Sequence, residues 1–86
     1  MKYVRILQDD QVLGTVKHVR IQHGGDPVRC TFEMSAEAAS GLDTEEPCEL
    51  EDQEGNRQAI RVSKTFFSGW AYRATGWLLS EDTEGK

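Results

Sequence analysis

From Val28 to Met34 apolar and polar side chains take turns, with Val28, Cys30, Phe32 and Met34 alternating with Arg29, Thr31 and Glu33. A period of two marks a strand with one buried face, so the first set is predicted to point into a core. Residues 3–8, YVRILQ, are rich in β-branched and aromatic side chains and stop at the polar Asp9-Asp10-Gln11, which predicts an earlier strand ending in a turn. Between the two, residues 12–22 stay β-rich but change phase. Val12 and Val16 share one parity, Val19 and Ile21 the other. A strand whose buried side changes parity must gain a residue or bend, so a β-bulge is predicted near Lys17-His18. His23-Gly24-Gly25-Asp26-Pro27 then supplies the turn that closes a hairpin.

The second half begins with Ser35, a suitable N-cap, followed by Ala36 to Ser40 and a glycine stop at Gly41, which predicts a short helix over 36–40. Residues 43–47 form an acidic loop. Cys48, Leu50 and Asp52 then share one face of a short strand, with Glu49 and Glu51 on the other. After a turn over 52–56, Arg57 to Phe67 resumes β character, Ser68-Gly69 turns the chain, and residues 70–79 make a last strand on which Trp70 and Tyr72 share a face. Six to seven short strands with one minor helix predict a mostly β fold: a small antiparallel β-barrel, SH3-like or OB-like, with a β-sandwich as the competing arrangement. The barrel is favoured because closure removes exposed edges. One domain is expected over 1–79, with residues 80–86 as a flexible acidic tail.

Charge sharpens this picture because it is segregated along the chain. Residues 1–30 carry five bases and three acids, residues 31–56 nine acids and no base, and residues 57–80 four bases and no acid, within a net charge of −5. Basic residues interrupt every apolar run before the roughly 18 residues a membrane span needs, and the first residues lack the apolar stretch of a secretory leader. A cytoplasmic setting follows as the expectation, with Cys30 and Cys48 as buried free thiols.

Little in the chain suggests catalysis or a cofactor. The possible metal ligands His18, His23, Cys30 and Cys48 lack any paired spacing that would pre-form half a zinc site. No serine lies in a nucleophile elbow, and Gly24-Gly25 has neither the lysine nor the helix start of a phosphate loop. The expectation is a non-enzymatic domain without metal or cofactor.

Two binding readings remain. The first is protein contact, as an adaptor, assembly component or inhibitor of a size that suits a phage- or prophage-encoded accessory protein. Its docking surface would be the block Asp43, Glu45, Glu46, Glu49, Glu51, Asp52 and Glu54, facing a partner protein that is itself basic. The second is a nucleic-acid-binding barrel using Arg61, Lys64, Trp70, Tyr72 and Arg73. Exposed rings beside a continuous basic strip separate the second reading from the first. A small β domain needs its large apolar side chains inside, so Phe66, Phe67, Trp70, Tyr72 and Trp77 are expected to pack mainly in the core.

Overall fold

The computed structural model describes residues 2–79; the expected tail over 80–86 lies outside them. Six antiparallel strands close into a barrel in the order β1-β2-β3-β6-β5-β4. They are β1 (Tyr3–Gln8), β2 (Gln11–Gln22), β3 (Arg29–Met34), β4 (Cys48–Asp52), β5 (Arg57–Phe67) and β6 (Tyr72–Leu78), with the helix α1 (Ala36–Gly41) between β3 and β4. Two consecutive three-stranded meanders are thus joined edge to edge, β3 to β6 and β4 to β1. The barrel, and not a sandwich, is the architecture adopted. No described helix is long and apolar enough to cross a membrane.

Local sequence accounts for most of the boundaries. Gln8 pairs with Gln11 across a two-residue turn in which Asp9 and Asp10 both have positive φ, 54° and 68°; aspartate tolerates this region because its short side chain bonds locally. The β2 bulge falls where the phase slip placed it. The register shifts between Lys17 and Arg20, and His18 has φ 56°. Ser35 caps α1 by accepting the Ala38 amide at 3.2 Å. The helix sits so close to β2 that a Cβ on Gly14 would lie 2.8 Å from that of Ala38.

The core is the inner face of all six strands. Ile6, Cys30, Leu50 and Ile60 have no exposed surface, and Phe32, Met34, Val62 and Ala74 are nearly as buried. Cys30, Phe32 and Met34 therefore point inward as their alternation indicated, while Val28 is half-buried just before β3. Gly76 faces β5 so closely that a side chain there would run into the Arg61 carbonyl.

Phe32→Ala is expected to cost about 3–5 kcal/mol, a large share of the stability of so small a domain. Gly76→Ala should destabilise through backbone collision between β5 and β6. Urea unfolding followed by tryptophan fluorescence measures both, and a near-neutral Gly76→Ala would show that the two strands separate freely at that point.

Candidate functional site

Residues directly opposite one another in an antiparallel pair project to the same side of the sheet, so the strand register lays out the outer surface. On β2, β3, β6 and β5 three outward rows result: Lys17-Glu33-Arg73-Phe66, then Arg20-Thr31-Thr75-Lys64, then Gln22-Arg29-Trp77-Arg61. Six of these twelve positions are basic and only Glu33 is acidic. Neighbouring strands lie about 4.8 Å apart and successive rows about 7 Å, so the bases form a patch and not a scatter. Among the described residues none of the six bases forms an ion pair with a side chain; Arg61 donates to the Glu45 carbonyl at 3.0 Å.

The aromatic residues overturn the expectation that they pack in the core. β5 pairs with β4 only over Arg57–Ile60 but with β6 as far as Phe67, so the distal half of β5 runs past β4 while β6 stays paired with β3 over Tyr72–Trp77. Phe66 is 50% exposed, Phe67 57% and Trp70 91%. Trp70 lies in the Ser68–Ala71 turn and not on β6, so it has no strand face to share with Tyr72. That turn is fixed by Gly69 at φ 110° and by the Ser68 amide and hydroxyl, which both donate to the Ala71 carbonyl. Tyr72 is half-buried, its ring centroid 5.0 Å from that of Phe67. A cleft of about 420 Å³ separates Trp70 from Lys17 and His18 at the β2 bulge.

The acidic residues lie on other elements and do several different things. Glu51 accepts from Arg5 and Arg57, and Arg57 also reaches Asp10 at 2.7 Å and Glu49 at 3.2 Å. Hydrogen bonds from Arg5 and then Arg57 hold the Glu51 carboxyl below its ordinary value, while Asp10 and Glu51 keep Arg57 more firmly charged. Asp52 is buried, and desolvation pushes its carboxyl up. The bonds from Asn56, Glu54 and Gly55 outweigh that push and leave it lowered. Asp43 folds its own loop by accepting the Glu45 amide at 2.9 Å. Buried Gln8 holds the same loop, donating to the carbonyls of Asp43, Glu46 and Pro47 and accepting the Asp43 amide. Glu45, Glu46 and Glu54 remain exposed with their carboxylates unpaired among the described residues.

The structure therefore brings Lys64 and Arg73 to adjacent outer rows beside exposed rings, with Arg61 on the third. It divides the seven-residue acidic block between ion pairs, a turn and an open loop. Lys17, Arg20, Arg29, Phe66 and Trp77 belong to the outer face as well, and sequence reasoning passed over them as site residues. The predicted bulge was the available signal, because it sets both Lys17 and Arg20 outside. Both cysteines are buried and unbonded; burial pushes the Cys30 thiol up to about 11 and the Cys48 thiol up to about 12. His18 and His23 are exposed, and no group of three or more potential metal ligands converges among the described residues. Compared with protein-family models, curated proteins and solved structures, the chain matches none.

Two expectations follow from the shifted groups. Glu51 and Asp52 have lowered folded-state values, so the unfolded chain binds more protons in acid. Their contribution is fully present above the ordinary values of 4.5 and 3.8 and is lost as pH falls through the folded ones. The melting temperature should fall below about pH 4.5, and Glu51→Gln should lower it at neutral pH while flattening the acid limb. An unchanged acid limb in that variant would remove Glu51 from the explanation. Cys30 and Cys48 should resist iodoacetamide in native protein and react on unfolding; rapid native alkylation would contradict their burial.

Proposed function

We propose that the outer face of β2, β3, β6 and β5 binds single-stranded nucleic acid as a non-catalytic module in a cytoplasmic setting. One observation carries the reading: six basic side chains without acidic partners among the described residues share a face with exposed rings at its hairpin end. Aromatic contact alone also suits a protein partner, since Trp, Tyr and Arg are common interface anchors. The charge decides between them. Bases so little balanced by acid favour a polyanion, from which they gain by releasing condensed counterions.

The rings then favour a single strand over a duplex. Stacking needs unpaired bases with an open π-face, which Trp70 and Phe66 can receive while Lys64 and Arg73 contact phosphates. The net charge of −5 opposes this less than it suggests. The barrel is 25–26 Å across its short axes, and charges are screened over about 8 Å at physiological salt. Acids on the far side of β4 thus reach the basic face only weakly, while the 43–47 loop meets that face at Arg61, which donates to the Glu45 carbonyl.

A second reading rests on the open loop. Glu45 and Glu46 are exposed on a segment pinned by Gln8, an ordered acidic surface for a basic protein partner. The two readings are compatible, and a small phage-encoded adaptor joining a protein to a nucleic acid would use both.

Fluorescence anisotropy with a labelled single-stranded oligonucleotide tests the proposal. Saturable binding should weaken steeply with salt, and Lys64→Glu with Arg73→Glu should reduce the salt slope as well as the affinity. Trp70→Ala should weaken binding about 5- to 150-fold, for a stack worth about 1–3 kcal/mol. Glu45→Lys with Glu46→Lys should preserve oligonucleotide binding and melting temperature, whereas Glu51→Lys should unfold the protein more readily. Absence of saturable binding at low salt would sink the nucleic-acid reading and leave the acidic loop as the functional surface.

A further inference from the structure

The run of β5 past β4 that exposes the rings also exposes backbone. Among the described residues no strand pairs with β5 beyond Ile60 on its β4 side, where Arg61 reaches the Glu45 carbonyl, and the only strand paired with Lys64–Phe67 is β6. Among the described residues no other backbone bond reaches this segment. The alternate N–H and C=O groups that point away from β6 therefore form an open edge, which is a template for another strand. Protected edges are usually short, bulged or charged. Here a bulge lies between Val62 and Lys64, and past it the only charge before the turn is Lys64.

We infer that this edge pairs antiparallel with the same edge of a second copy of the chain, giving a two-fold dimer with one sheet running through both barrels. The inference rests on the edge and its side chains and does not depend on nucleic-acid binding. A two-fold interface must be complementary to itself, and the sequence Ser63-Lys64-Thr65-Phe66-Phe67 meets that condition when the axis passes at Thr65. Thr65 then faces the second copy's Thr65, a favourable cross-strand pair. Lys64 faces the second copy's Phe66, where an ammonium against an aromatic ring is attractive. Ser63 faces the second copy's Phe67. No two like charges stand directly opposite, whereas an axis at Lys64 would oppose two lysines. Phe66 and Phe67 project to opposite sides of the sheet, so apolar surface would be covered on both.

An axis of this kind is perpendicular to the sheet and keeps each outer face on the same side. Lys64 and Arg73 of both copies would then flank the axis, and two basic patches would become one platform of twice the length.

Sedimentation velocity over a concentration series, without nucleic acid, tests this in the intact chain. The expected result is a reversible monomer–dimer equilibrium that Thr65→Lys shifts to monomer by opposing two ammonium groups at the axis. Thr65→Cys should give an interchain disulfide under mild oxidation, because opposed residues of an antiparallel pair come within bridging distance. Val12→Cys, exposed on β2 away from the edge, should not. A monomer at every attainable concentration, open-ended polymers instead of a dimer, or equal crosslinking through residues 12 and 65 would each overturn the inference. Oligonucleotide binding by a strictly monomeric protein would refute the dimer while leaving the nucleic-acid reading standing.

Discussion

The barrel is closed by β4, a strand of five residues bonded to β1 on one side and β5 on the other. Everything else depends on that closure, because only a sheet without a gap has a true inside and outside along every strand. Glu51 clamps it with one carboxylate, binding Arg5 on β1 and Arg57 on β5. Exposed ion pairs add little individually. This one joins three neighbouring strands at the seam where the two meanders meet, so its geometric role exceeds what two isolated surface pairs would have.

The same clamp shapes the surface electrostatics. Arg5 and Arg57 are the bases drawn in among the acids, and the other bases of β2, β3, β5 and β6 are left without such partners among the described residues. A chain with an acidic middle becomes a barrel with an acidic seam at β1, β4 and the start of β5, and a basic face that runs from the rest of β5 across β6 and β3 to β2. The acidic seam is partly structural, since Asp52 and Glu51 are consumed in a turn and in the clamp. On the basic face Arg61, which bonds the Glu45 carbonyl, is the one base with a comparable use among the described residues, and the binding role proposed for that face rests on this contrast.

Much of the fold was legible because it rests on local alternation. Cys30, Phe32 and Met34 announce an inner face, Ser35 a cap, and the slip between Val16 and Val19 a bulge. The run of β5 past β4 was not legible, because Phe66 and Phe67 read as β and apolar whether or not a neighbour covers them. Their exposure comes from a mismatch in length, eleven residues in β5 against five in β4, together with the strand order that sets the two side by side. The division of the acidic block was hidden for a similar reason. Arg5 lies 46 residues before Glu51, and no local pattern reveals a partner that distant. The basic patch needed the register as well, since its six members come from four strands.

The bulge at His18 makes the chain tolerant of one kind of genetic change and intolerant of another. Lys17 and Arg20 are separated by an odd number of positions, so in an unbroken strand one of them would have to aim at the barrel interior. The extra residue absorbs that conflict. Loss of a single codon between Lys17 and Arg20 would leave these two residues two positions apart, the spacing of an unbroken strand, so Arg20 and Gln22 would still face outward and Ile21 inward. Loss of a codon between Val12 and Val16, with the bulge kept in place, would instead reverse the faces of the residues before it.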